Sequence, residues 1–151
     1  MGDNERMDKA LEILAEENVT NRVLTLIVCS ISDLQESAWK TLCSRSPSRD
    51  DLLYVAANTK SEEIKKEALN LLFEKNPSKD DLLYVFINLR GASQKVVWEK
   101  LKDKKLTKED LYCIVAHARN QTRREAWNRL KEKHPKKENL DYMFPDIEKD
   151  I

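Results

Sequence analysis

Apolar residues through the middle of the chain fall on two alternating helical stripes. Leu52, Val55 and Ala56, and again Leu82, Val85, Phe86 and Leu89, recur at the three- and four-residue steps of a buried helix face. Each run follows a hydroxyl residue with an acid three positions on: Ser48 with Asp51, Ser78 with Asp81, and Thr107 with Asp110. This is the pattern of a capping box, where hydroxyl and carboxylate satisfy the free N–H groups of a first turn. It predicts a short, largely buried helix A of about ten residues. The second stripe, Ile64, Ala68 and Leu72, is preceded by Glu62 and Glu63 and followed by Lys75, charges that complement a helix dipole. It predicts a longer, amphipathic helix B. No segment sustains the alternation of a strand, and Pro, Ser and Asn stand where a hairpin would need Asn-Gly. The expected fold class is therefore all-α.

The two stripes belong to an internal repeat. Pro47-Ser48-Arg49-Asp50-Asp51-Leu52-Leu53-Tyr54-Val55 returns as Pro77-Ser78-Lys79-Asp80-Asp81-Leu82-Leu83-Tyr84-Val85, then more weakly from Leu106 and from Pro135. A helix B phrase keeps the same register as Ala38-Trp39, Ala68-Leu69, Val97-Trp98 and Ala126-Trp127, with Ala10-Leu11 ahead of them. The period is 28 to 30 residues. The chain divides into a capping helix (4–18), four pairs (19–46, 47–76, 77–105 and 106–134), a half repeat (135–145) and a tail (146–151). A helical pair of this size cannot bury its own stripe, so neighbours must complete one core. The expectation is a single α-solenoid domain over residues 1–151, with a right-handed superhelix.

The helix B phrases Ile64-Lys65-x-x-Ala68-x-x-x-Leu72 and Thr122-Arg123-x-x-Ala126-x-x-x-Leu130 resemble the signature of short HEAT-like repeats, over residues 4 to 144. Helix A lacks the proline of many HEAT repeats, and the leucine-rich repeat variant, another two-helix solenoid, is the alternative. Either resemblance implies a stacked helical array without fixing what it binds.

Composition narrows the chemistry. With only Gly2 and Gly91, the chain contains neither a three-glycine dinucleotide fingerprint nor a Walker A loop. Three cysteines without a shared spacing point to a reduced compartment rather than a disulfide framework. The absence of a long apolar run or a signal-peptide core gives the expectation of a cytoplasmic protein that does not enter the membrane. Lys+Arg and Asp+Glu are both 27, so the formal net charge is zero. That balance hides an asymmetry: residues 1–36 carry 3 basic and 8 acidic side chains (−5), residues 37–134 carry 21 and 14 (+7), and residues 135–151 carry 3 and 5 (−2).

Within the basic middle, Lys60, Arg90 and Arg119 recur just after helix A, Lys66, Lys95 and Arg124 recur in helix B, and Lys65 and Arg123 add a partial third column. Solvated charge supporting solubility accounts for such columns. An electropositive edge, with arginines beside the N-termini of the B helices, accounts for them as a ligand-binding stripe. Asn58, Asn88 and His117 form a polar ladder at the end of helix A, suited to capping that helix or, as the alternative, to contacting a ligand. Trp39, Trp98 and Trp127 share a slot with Leu69, which marks a packing position. Cys29 and Cys43 replace apolar residues, and Cys113 has no partner at zinc spacing, so neither metal nor cofactor is expected.

These readings lead to a non-enzymatic interaction module, monomeric and binding a protein or peptide, with nucleic-acid or phosphate binding along the basic stripe as the alternative. Self-association through the ends of the array is a third possibility.

Overall fold

The computed structural model describes residues 19–30 and 33–133, together with residues 5, 6, 9, 12 and 13. Most of the expected capping helix, and all of the half repeat and tail, lie outside the described residues. Among the described residues there are eight principal helices and no strand: α1 (Asn21–Ser30), α2 (Gln35–Ser44), α3 (Arg49–Asn58), α4 (Glu62–Glu74), α5 (Lys79–Asn88), α6 (Gly91–Leu101), α7 (Lys108–His117) and α8 (Asn120–Lys133). None is long and apolar enough to cross a membrane. The chain groups into two compact units, Met1–Pro77 and Ser78–Ile151.

Local chemistry sets where the helices start and stop. Ser48, Ser78 and Thr107 each accept a hydrogen bond from the backbone three residues on, and Asp51, Asp81 and Asp110 return the bond, completing three capping boxes. Thr20 serves α1 in the same way, its hydroxyl accepting from Val23 N–H at 3.2 Å. At the far end of the pairs, Ser46 and Asn76 sit in the left-handed region (φ 54° and 52°) just past α2 and α4. The buried prolines Pro47 and Pro77 follow, and their rings cannot continue a helix.

In the first unit, α1 pairs with α2 and α3 with α4, and α1 also packs on α3. Leu24, Val28, Leu42, Leu52, Val55, Ala56, Ala68 and Leu72 form its solvent-free core. The second unit repeats the scheme, with α5 against α6, α7 against α8, and α5 against α7. Phe86, Trp98, Leu101, Leu111, Ile114 and Leu130 fill that core. An ion pair ties its two A helices: Lys79 Nζ lies 2.8 Å from Asp110 Oδ2. Burial alone would raise the Asp110 pKa, but the Lys79 ammonium and the Thr107 N–H and hydroxyl together hold it below the ordinary value.

The B helices are tied by one bond repeated in both units. Trp39 Nε1 donates to Glu67 Oε2 at 2.5 Å, and Trp98 Nε1 donates to Glu125 Oε2 at 2.6 Å. The rings themselves are 3% and 1% exposed. Covering an indole of roughly 200 Å² contributes about 5 kcal/mol before entropy. The tryptophans are therefore core residues with one polar handle. On the Trp98 ring sits the Arg129 guanidinium, 5.8 Å from the centroid, and its Nη1 donates to the Lys102 carbonyl at 3.0 Å.

Candidate anion-binding cleft

The start of each B helix decides what its free N–H groups can bind. In α4 they are already served, since Ser61 caps Ile64 N–H at 3.3 Å and Glu62 and Glu63 occupy the first turn. In α6 they are not. Arg90 holds the N-cap position in an extended conformation with no side-chain cap, and no acid stands in the first turn. The chain enters α6 through Gly91 at φ +60° and enters α8 through Asn120, the equivalent repeat position, at φ 54°. The first turn of α8 likewise has no acid. Neither first turn therefore carries an acid to meet the N–H groups and the positive pole of its helix.

Both ends open onto one cleft of about 580 Å³, in the size range of ligand sites. Its walls are Arg90, Gly91, Ala92 and Lys95 from the start of α6, and Arg119, Asn120, Gln121 and Thr122 from the start of α8, with Gln94 between them. Arg90 Nη1 donates to its neighbouring Leu89 carbonyl, at 3.2 Å. Lys95 and Arg119 form no ion pair among the described residues. Gln94, 5% exposed, is a structural clamp: its amide nitrogen lies 3.2, 3.1 and 3.0 Å from the carbonyls of Phe86, Leu89 and His117, so it holds the ends of α5 and α7 together. Thr122 is 7% exposed and lines the cleft.

The first unit contains the repeat-equivalent cleft, of about 340 Å³, with opposite chemistry. Glu36 stands in the place of Lys95, Ser61 of Arg119, Glu63 of Gln121 and the buried Ile64 of Thr122, with Glu67 also on the wall. Two clefts on the same scaffold thus differ in the charge of their lining, in helix capping and in one buried side chain, threonine against isoleucine.

The basic columns divide along the same line. Arg90, Lys95 and Arg119 meet in the second unit's cleft, while Arg124 is exposed on α8 outside its lining. Arg123 is half-buried. In the first unit Lys60 and Lys66 are exposed, whereas the Lys65 side chain is only 14% exposed and pairs with Glu62 at 3.0 Å. Lys65 and Arg123 share the repeat position of Gln94, which explains why this column turns inward. Asn58 and Asn88 each donate Nδ2–H to the carbonyl of Tyr54 or Tyr84 at 2.8 Å, and His117 Nδ1 donates to the Cys113 carbonyl at 2.8 Å. All three are exposed and engaged in local capping.

Burial pushes the Cys29 thiol up to about 11, and raises Cys43 and Cys113 as well, with Glu67 and Asp110 adding to the effect. All three remain thiols at neutral pH and are poor nucleophiles. No group of three metal-ligating side chains occurs among the described residues. Glu125 is held below the ordinary carboxylate range, chiefly by the Trp98 N–H.

The sequence reading missed Gln94, Thr122 and the acids of the Trp–Glu bonds. A signal for those acids exists. Glu67 and Glu125 follow the repeats bearing Trp39 and Trp98, whereas Ser37 and Val96 take that position after Leu11 and Leu69. An acid recurs where the preceding repeat offers an indole N–H and is replaced where it offers leucine. No protein family, curated protein or solved structure matches the chain.

Proposed function

We propose that the chain is a non-enzymatic helical-repeat module, an α-solenoid of the HEAT-like kind, that docks a macromolecular partner by receiving an anionic group in the cleft at the starts of α6 and α8. The solenoid reading draws support from the repeat register and from the same indole-to-carboxylate bond in each unit. The anion reading rests on one observation: both helix starts are free of acids in a cleft lined by Arg90, Lys95 and Arg119, while α4, in the equivalent cleft, carries its own. A protein partner is further favoured by Leu26 and Tyr54, 41% and 38% exposed along one groove of the first unit. Nucleic acid is the second reading, favoured by the net +7 of residues 37–134.

The test transplants one cleft into the other. Lys95→Glu, Arg119→Ser and Thr122→Ile place the first unit's residues in the second unit's cleft, on a scaffold that already accommodates them. Replacing chloride by sulfate at constant ionic strength should raise the melting temperature of the native chain, because a ligand that binds only the folded state stabilises it by mass action. The triple variant should melt cooperatively and lose most of that increment. An equal sulfate effect in both proteins would refute the site.

A further inference from the structure

Arg22, Leu26, Asp50 and Tyr54 line a groove of about 320 Å³ between α1 and α3 of the first unit. Arg22 and Leu26 hold on α1 the positions that Asp50 and Tyr54 hold on α3, 28 residues later. On each helix the two residues lie one turn apart on the same face, so the four side chains make a small square. A cation stands beside an acid, and one turn further an aliphatic side chain stands beside an aromatic one. All four are exposed, Leu26 by 41% and Tyr54 by 38%, and Val23, 43% exposed on the turn before Leu26, adds to the apolar part. Although Arg22 and Asp50 border one groove, neither forms an ion pair among the described residues.

Such a square is complementary to a copy of itself. A twofold axis in the plane of contact, parallel to α1 and α3, lays Arg22 of one copy against Asp50 of the other and Leu26 against Tyr54, each contact being made twice. An axis running across the helices would set each charge against an apolar side chain instead, so the pattern selects the first arrangement. The second unit shows that this pattern is not a property of every repeat. Its corresponding residues on α5 and α7 are Asp80 with Glu109 and Tyr84 with Cys113, and the same operation there would bring acid against acid. That seam is also bridged by the Lys79–Asp110 ion pair, whereas the first unit has Asn21 in the place of Lys79.

We infer that the α1–α3 face is a homodimer interface and that a second copy of the chain occupies its groove. This takes from the function proposed above only the premise that the groove receives a protein. The apolar side chains supply the contact, and the two charge pairs set its register, since exposed ion pairs add little affinity but fix partner and orientation. Three partly exposed apolar side chains a copy make a contact smaller than the roughly 800 Å² per partner of a stable complex, so the dimer dissociates at about 10 to 100 μM. A contact of this symmetry closes on itself and stops at two copies.

Sedimentation velocity of the full chain, from about 5 to 500 μM, reads the association directly. The native chain should pass from monomer to dimer across that range with no larger species, and Leu26→Asp should stay monomeric. Arg22→Asp and Asp50→Arg should each weaken the dimer at least about ten-fold, because each sets like charges against one another twice. Mixed one to one, these two variants should associate with each other about as tightly as the native chain does, because the exchanged charges are complementary again in both contacts. Circular dichroism and melting curves establish that every variant is folded. A native chain that stays monomeric at about 500 μM would overturn the inference and leave the groove to a different protein. Growth beyond the dimer would overturn it in favour of stacking through the ends of the array. Charge variants that dimerise as the native chain does, or a mixture no tighter than its components, would overturn it as well. None of these readings involves sulfate, whose effect on melting tests the anion cleft, so the two proposals fail separately.

Discussion

Trp98 and Glu125 provide a pair whose energetics can be worked from geometry. The indole is 1% exposed and its N–H donates over 2.6 Å to a carboxylate held ionised by that bond. A hydrogen bond to a charged group contributes about 1.5–3 kcal/mol, and leaving a buried donor without an acceptor costs about 1–3 kcal/mol. Glu125→Val should therefore destabilise the chain by about 2 kcal/mol. Trp98→Leu removes the ring from the core and should cost about 3 kcal/mol, mostly from the space left behind. The double variant carries the combination found at the same positions one repeat earlier, Leu69 followed by Val96. Its cost should be about that of Trp98→Leu alone, because no N–H remains to be satisfied, which gives a coupling of about 1.5–2 kcal/mol. Urea unfolding of the four proteins, followed by helical circular dichroism, measures the cycle. Additive single costs, with coupling below about 0.5 kcal/mol, would refute the view that the bond joins successive B helices.

Further outcomes follow from the same structure. Gly91→Ala should destabilise by about 1 kcal/mol through backbone strain alone, since a Cβ there meets nothing within 4 Å, while Gly91→Asn should be better tolerated, as Asn120 shows at the equivalent position. Ser48→Ala should cost about 1 kcal/mol in urea unfolding by removing a capping box. Stability should fall with acid: Glu125 and Asp110 have folded pKa values below the ordinary 4.5 and 3.8, so their contribution is complete above those values and is lost as pH drops through and below them. Trp98→Phe, which removes the donor to Glu125, should flatten that acid loss in pH-dependent melting.

How much of this was legible in the sequence depends on whether a residue's type announces its environment. Ser48, Ser78 and Thr107 with their paired acids announce helix starts, because that chemistry has one common use, and the structure places A helices behind all three. The shared Trp/Leu slot announces burial for a similar reason. Lysine and arginine do not announce theirs. Lys65 and Arg123 looked like surface charge until their register with buried Gln94 turned them inward. Gln94 and Thr122 carried no signal alone, since a polar residue on helix B is ordinarily solvated. Their role arises only where the ends of α5 and α7 and the start of α8 meet. The sign inversion between the clefts was present in the aligned repeats, as Glu36 against Lys95 and Ser61 against Arg119, but it acquires meaning only once these positions are seen to face one space.

The central claim is that one cleft of the two receives a phosphate-like anion. Crystals soaked in tungstate, whose metal scatters anomalously and whose oxygens mimic a phosphoryl group, test it most directly. The account predicts one strong anomalous peak beside Gly91, Lys95, Arg119 and Thr122, and no peak in the cleft of Glu36, Ser61 and Glu63. Peaks of equal strength in both clefts, or an empty cleft at α6 and α8 in a crystal that binds tungstate elsewhere, would contradict it.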